Sequence, residues 1–557
     1  MRMINSYLSR RPVILFIIVL LSFGAYVNTL HNGFVYDDEN EILLNPWITD
    51  IKFIPRIFLS HSWAFKITDS PTSQYHPLKF IVNMVQYQLF ESRPWGYHLI
   101  NILAHMMVSV MVFFVAASLL KELFNEDSLT MPAAASLLFA VHPIHTEAVA
   151  WVSAMPELFM SFFYLVSLYI YINLSEQKYR RIIIAAFFFF VSALFKETAL
   201  TLPLLLIAYD YSFKKGIFAE KGTGASKNAL LRRYVPVVIA AIIYLVLRTY
   251  AIGGFIPKQS YIKYTVFQIV INAFPLFAKY LAMLVLPVNL TVLHVFRPVS
   301  SLFDVRTITS LGFFVFFVLF LIFLNRKNRG LLFGTLWTVV PLLPVFYIPA
   351  FLGESVFAER YIYLSSAGFV IVAAIVIRSI KHNNLFKTIT IPVLVTGVSA
   401  IIVIFTFWTI NRNYAWRDDF SLWADAVKKS PDSYVSHINL GKAYYGKGRV
   451  SEAIREYQTA LLLNPGSDMA FFNIGTIYYE KGMMKDAINA FRAAIALRPD
   501  NYEAHNGMGN AYYSTGLIDD AIREYQSAIS IRPDYSEAQY NLSVLYTLKG
   551  AMTTKPR

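Results

Sequence analysis

Four acids crowd one short polar stretch of an otherwise apolar chain: Asp37, Asp38, Glu39 and Glu41 in GFVYDDENEILLNP, residues 33–46. A carboxylate beside an incoming hydroxyl can take its proton, and a second one can orient the reacting group. Adjacent acids also repel, so one of Asp37 and Asp38 should hold its proton above the ordinary carboxylate range. Three further polar interruptions carry chemical side chains: His142, His145 and Glu147 in HPIHTE, Lys196 and Glu197 in FKET, and Glu354, Glu359 and Arg360 in FLGESVFAERY. Histidine, lysine and arginine can stabilise the negative charge that develops on a leaving group. The two histidines and Glu147 approach metal-ligand spacing but lack a third firm ligand, so no metal site is assigned. A divalent cation remains compatible with the acids, and no other cofactor is called for.

Each cluster has a plainer reading. DDE can cap a helix and solvate a loop. HPIHTE can be a hairpin turn in which Pro143 breaks one helix and Thr146 caps the next. Lys196 and Glu197 can neutralise each other. Independent turns need not all be charged, however, and acids or bases at membrane depth usually face a cavity or one another.

The elements that position these residues are apolar helices. The chain has 557 residues, 56% of them hydrophobic, and a formal charge of +14. Lys and Arg gather in short loops between apolar blocks, as membrane orientation signals do, which argues against nucleic acid as a partner. With no cysteine, disulfides, thiolate nucleophiles and cysteine-ligated metals are excluded. A span needs about 20 apolar residues. Residues 12–30 read as a retained transmembrane helix, and 96–120, 234–252, 309–325, 331–350, 361–380 and 386–410 as further single crossings. Blocks 132–172 and 182–213 read as hairpins of two shorter helices. Residues 266–287, interrupted by Pro275 and Lys279, read as interfacial or re-entrant. The expectation is a polytopic bundle of about 11 spans. Arg2, Arg10 and Arg11 place the amino terminus in the cytoplasm. A long outer loop, 31–95, and all four polar clusters then share the outer face, where the chain also emerges.

The tail is a different object. Gly448, Gly482, Gly516 and Gly550 recur every 34 residues, as do Pro431, Pro465, Pro499 and Pro533, and Tyr444, Tyr478, Tyr512 and Tyr546. Ala453, Ala487 and Ala521 keep the same step. This period with two helical patterns per unit is the tetratricopeptide signature. Three full repeats cover 432–533, preceded by the helix of DDFSLWADAVKKSP and followed by a partial repeat. The fold class is therefore all-α: a membrane domain over 1–410, a connecting helix over 411–431, and an α-solenoid over 432–557. Such arrays offer a groove for extended polypeptide.

GFVYDDENEILLNP, YHPLKFIVNMVQYQLF, HPIHTEAVAWV, LFKETALTLPLLLIAYD, FAERYIYLSSAGFVIV and NYAWRDDFSLW occur in that order. Together they resemble the transmembrane and tetratricopeptide-repeat-containing proteins, of the GT-C superfamily of membrane glycosyltransferases. The resemblance implies transfer of a sugar, mannose in animal members, from a polyprenyl-phosphate carrier to protein hydroxyls on the non-cytoplasmic side. It implies Asp37 as the base, with Asp38 orienting the acceptor or tuning the charge of its neighbour. Arg360, Lys196, His142 and His145 become candidates for the donor phosphate. Glu39, Tyr75, His76, Glu147, Glu197 and Glu359 would support them, and Tyr75, Trp63, Trp95 and Tyr97 could stack on sugar rings. Asn439, Asn473 and Asn541 are candidates for a peptide groove in the repeats. The chain departs from the pattern at His76, where animal relatives would carry arginine, and at Met155 and Glu157, where a basic residue and an aspartate are usual.

Three alternatives remain at this level. One is an oligosaccharide ligase using a lipid-diphosphate donor, another a membrane scaffold that docks partners through its repeats. A transporter would show internal repeats among its spans, and none is seen. Short loops and absent cysteines favour a bacterial plasma membrane, with the repeats outside, over an endoplasmic reticulum membrane with luminal repeats.

Overall fold

A computed structural model describes residues 11–66, 74–173, 179–214, 224–254, 265–346, 356–382 and 391–553. Glu354 lies outside these residues. Apart from one isolated bridge between His294 and Phe357, the described regular structure is helical. The chain divides into two units, Met1–Asp418 and Asp419–Arg557, so the expected connecting segment is shared between them.

The first unit contains α1 (Arg11–Tyr26), α2 (Pro77–Phe90), α3 (Pro94–Phe124), α4 (Thr130–Ala140), α5 (Met155–Ile172), α6 (Tyr179–Phe195) and α7 (Leu202–Phe213). It continues with α8 (Gly224–Ile252), α9 (Val266–Val285), α10 (Val305–Lys327), α11 (Arg329–Val339), α12 (Tyr363–His382) and α13 (Ile391–Asn413). Among the described residues, nine helical stretches are long and apolar enough to cross a membrane; α4, α6 and α7 fall short of that length.

Side-chain bonds sort the loops onto two faces. On one, Arg378 pairs with Glu126, Lys214 Nζ lies 2.7 Å from Glu122, and Arg329 donates to the Tyr211 carbonyl at 3.3 Å. Tyr211 in turn reaches Asn325 at 3.0 Å. The ends of α3, α7, α10 and α12 therefore meet on this lysine- and arginine-rich face. On the opposite face, Asn413 Nδ2 donates to the Ala25 carbonyl at 2.9 Å, Asn28 Nδ2 to the Ile410 carbonyl at 3.1 Å, and Gly33 N–H to the Arg417 carbonyl at 2.8 Å. The carboxyl ends of α1 and α13 thus emerge together, and an odd number of crossings separates the start of α1 from the end of α13.

With α4, α6 and α7 counted as crossings, the path satisfies that parity when α9 turns back. Asn272, early in α9, exchanges two hydrogen bonds with the backbone of Val299, at 2.7 and 2.9 Å. Residues 286–299 must therefore return alongside the helix to the level where it began, and α10 starts from there. The expected count of about eleven spans corresponds to eight of the nine long helices taken with the three shorter ones. The hairpins expected over 132–172 and 182–213 are present as α4–α5 and α6–α7.

Close packing depends on small residues where helices approach. A Cβ on Gly368 would fall 2.6 Å from the Thr338 backbone nitrogen, so α12 can reach α11 only through a glycine. The α4 helix, with 11 residues, rises about 16 Å, half the hydrocarbon thickness. The following segment, Val141–Leu158, is consequently buried throughout.

The second unit is a stack of helix pairs: Tyr434–Gly446 with Val450–Leu463, Asp468–Glu480 with Met484–Leu497, and Tyr502–Ser514 with Ile518–Ile531. Asp419–Lys429 precedes them and Ser536–Thr553 follows. Gly448, Gly482 and Gly516 have φ between +73° and +78°, the left-handed turn that joins the helices of each pair. Gly550 instead continues the last helix. The periodic alanines Ala453, Ala487 and Ala521 are fully buried between helices.

Candidate active site

The acidic stretch is held by one of its own acids. Asp38 is completely buried; its Oδ2 accepts from Val35 N–H at 3.0 Å and its Oδ1 from Ser153 N–H at 2.8 Å. It pins the loop after α1 to the turn before α5. Both Asp38 oxygens are thus engaged by backbone N–H groups in a fully buried setting, and the acid holds the loop. Burial pushes its carboxyl up to about 7 against those two hydrogen bonds.

Asp37 is the acid left available. Tyr36 before it has φ +57°, a conformation unfavourable for a bulky side chain, and its ring lies against Trp151. The half-buried Asp37 carboxyl accepts no hydrogen bond from any described residue. Burial, then the nearby Glu41 charge, raise it to about 6, opposed by Lys79, Arg360 and Lys66. The expected mutual repulsion of Asp37 and Asp38 is not the cause. Burial dominates both, and the like charge is Glu41. Glu39 is exposed.

The basic side chains converge beside this acid, each matched to a carboxylate. Arg360 pairs with Glu147 through its guanidinium and through its backbone N–H at 3.0 Å. Lys196 pairs with Glu157. Tyr361 separates the two, with Lys196 Nζ 4.7 Å and the Arg360 guanidinium 4.9 Å from its ring; Arg360 also lies 5.1 Å from the Trp151 ring. Lys79, on α2, pairs with Glu41. His76 Nε2 lies 2.8 Å from Glu197. Burial opposes ionisation of Glu197, but His76 and Lys196 override it and hold the group at about 2. Lys196 and Glu197 therefore do not neutralise each other as adjacent residues could. Extended backbone at Lys196 sends them to different partners.

Several expected residues turn out to be structural. His142 accepts from Ile144 N–H at 3.2 Å and donates to the Leu284 carbonyl at 3.1 Å, so both ring nitrogens are used. His145 is packed among Phe139, Tyr363 and His142, with Nε2 on Ser366 Oγ at 2.7 Å. Burial pushes His142 down to about 4 and His145 well below the usual imidazole range, so neither ring brings positive charge to a phosphate. Tyr75 is fully buried, its hydroxyl on the Phe58 carbonyl at 2.9 Å, and Tyr97 is buried likewise; neither face is open to a sugar. Glu359 is fully buried and its Oε1 accepts from Thr291 N–H at 2.5 Å and His294 at 2.9 Å. Glu157, Lys79, Tyr361 and His294 were not singled out as site residues. Only charge within an apolar block could have marked them. Among the described residues no group of three metal-binding side chains converges.

In the repeats, Asn439 Nδ2 bonds back to the Val435 carbonyl at 3.0 Å. Asn541 Nδ2 reaches Asn506 and Asn510, each at 3.1 Å, so two of the groove candidates are already engaged within their own unit. Asn473 has a buried Nδ2 without a partner among the described residues.

Residues 441–482, 475–516 and 509–550 match a family model described as TPR repeat. Over 456 residues the chain is 26% identical to Protein O-mannosyl-transferase F38B6.6 of Caenorhabditis elegans, covering 81% of this chain and 62% of that one. It is 26% identical over 509 residues to Protein O-mannosyl-transferase TMTC3 of Homo sapiens, covering 78% and 53%. The chain is a repeat-bearing polytopic membrane protein distantly related to the protein O-mannosyl-transferases. It spans little more than half the length of these relatives. Among solved structures, the crystal structure of MamA is 28% identical over 24% of this chain and 77% of that one, with a TM-score of 0.22.

Proposed function

We propose that this protein is a membrane glycosyltransferase that moves a sugar from a polyprenyl-phosphate carrier to a protein hydroxyl on the non-cytoplasmic face, with Asp37 as general base. The observation that carries the reading is the contrast between two adjacent acids. Asp38 is consumed in holding the loop, whereas the Asp37 carboxyl accepts no hydrogen bond from any described residue and is set beside the Arg360–Glu147 and Lys79–Glu41 pairs. A carboxyl near 6 is ionised at neutral pH and basic enough to accept a proton from an attacking hydroxyl. As that oxygen bonds to the anomeric carbon, the carbon–phosphate oxygen bond breaks and polyprenyl phosphate leaves with the electron pair. The cationic groups along the site favour the charge that this creates.

The membrane orientation rests on the positive-inside tendency: the face joining Arg378, Lys214 and Arg329 is cytoplasmic, and the acidic site lies opposite. The chain leaves the membrane unit at Asp418 on that same outer face, and the repeats would receive acceptor polypeptide there. The names of the relatives make polyprenyl-phosphate mannose the first donor to try.

The test is transfer from labelled polyprenyl-phosphate hexoses to a peptide by purified wild-type and Asp37→Asn protein. Loss of a general base should lower turnover by about 10²–10⁴-fold with donor binding preserved. Turnover unchanged by Asp37→Asn would refute Asp37 as the base. Transfer only from lipid-diphosphate glycans would replace this reading with the ligase.

A further inference from the structure

We propose that Lys279, on the re-entrant helix α9, is the cation that receives the phosphate of the polyprenyl carrier, and that the apolar groove walled by the same helix holds the prenyl chain. The inference rests on the carrier named above and adds the residue and the berth.

The basic side chains around the site are already matched. Arg360, Lys196, Lys79 and His76 each pair with a carboxylate: Glu147, Glu157, Glu41 and Glu197. A phosphate that took any one of them would strand an acid in a poorly solvated place, which is strongly unfavourable. Lys279 differs, as its ammonium forms no ion pair with any described residue and lies 4.4 Å from the ring centroid of Phe357. The acid within its electrostatic reach is Glu359, but that carboxylate is held through Oε1 by Thr291 and His294, and its Oε2 has no partner. Lysine does not close on it. A half-buried ammonium on an apolar helix, unmatched among the described residues, is costly unless something negative meets it. Phe357 leads directly into Glu359 and Arg360, so such a ligand would arrive next to the site.

The same helix walls a groove of about 520 Å³, formed by Ala278, Leu281 and Ala282 with Phe313, Phe317 and Phe369. Its two hydroxyl-bearing residues, Thr335 and Thr338, bond back to carbonyls of their own helix at 2.8 and 3.0 Å, so the walls offer a chain only apolar surface. Val285, Phe313 and Phe320 are exposed along its edge, which opens the groove sideways to lipid. A second groove of about 500 Å³ between α1, α3 and α5, lined by Met106, Met107 and Phe159, has no unmatched cation beside it. Lys196, which follows the Phe195 whose ring stacks on Phe159, is held by Glu157. A single anionic head on a long apolar tail fits the first groove and not the second.

The experiment measures binding of labelled polyprenyl phosphate, without sugar or acceptor, to the full chain in nanodiscs, with excess phosphatidylglycerol as competitor. Lys279→Met should weaken binding by about tenfold or more, the worth of one charge-assisted contact, while Lys279→Arg stays close to wild type. Ala282→Trp should remove the preference for a long prenyl phosphate over a two-isoprene one while keeping short-chain binding, a pattern that misfolding does not produce. Binding undiminished in Lys279→Met, or label displaced equally well by phosphatidylglycerol, would overturn the proposal. Lysine-dependent binding without transfer of any hexose would sink the transferase reading and leave this one standing. Hexose transfer with an unchanged donor KM in Lys279→Met would do the reverse.

Discussion

If Asp37 is the base, the acid limb of the pH–rate profile must follow its carboxyl, and its neighbours must move that limb in opposite directions. With a carboxyl near 6, about one tenth of the protein carries the ionised base at pH 5 and about nine tenths at pH 7. The kcat/KM should thus rise roughly tenfold per pH unit below 6 and level off above it. Glu41 raises Asp37 and Lys79 lowers it, although the two form one buried pair. Glu41→Gln removes the repelling charge and frees the attracting one, so the limb should move to lower pH by about one unit. Lys79→Met removes the attracting charge, so the limb should move up by a similar amount. The assay is single-turnover transfer between pH 4.5 and 8, as that range brackets about two units on either side of the expected inflection. Both variants keep Asp37 itself, so plateau rates serve as the internal control for folding. Shifts in the same direction, no shift in either, or an intact limb in Asp37→Asn would each refute the argument.

Asp38→Ala should loosen the loop rather than tune the chemistry. Two backbone N–H groups lose a buried acceptor, at about 1–3 kcal/mol each, which hydrogen exchange at Val35 and Ser153 would report as faster opening. Unchanged protection at both positions would contradict the clamp. Arg360→Ala should destabilise by about 3–5 kcal/mol because Glu147 is left buried and unpaired, and adding Glu147→Gln should recover part of the loss in thermal unfolding. Strict additivity of the two substitutions would show that they do not act as a pair. Because the chain has no cysteine, single cysteines at Glu39 and Lys327 give a clean topology test. An impermeant thiol reagent applied to intact cells should label the first and not the second; the opposite pattern would invert the proposed orientation.

The membrane class, the hairpins and the repeat array were legible in the residues alone because each has a one-dimensional signature. Apolar block length sets span count, a block too long for one crossing must fold back, and the 34-residue step of glycine, proline and alanine reports helix pairs. The return of 266–287 was legible for a related reason, through charge parity in the flanking loops. Asp37 and Arg360 could be named from the same pattern of acids and bases between spans.

What the sequence could not assign was partnership, since it depends on which loops meet. Lys196 and Glu197 are neighbours in the chain yet bond to Glu157 and His76. His142 and His145 read as ligands in a turn but are buried, and burial strips an imidazole of its charge. Only the tertiary structure separated Asp37 from Asp38, because a backbone N–H at Ser153, more than a hundred residues away, decides which acid is occupied. It also left Lys279 as a charge without a match among the described residues, a property of the assembled site that no local pattern encodes.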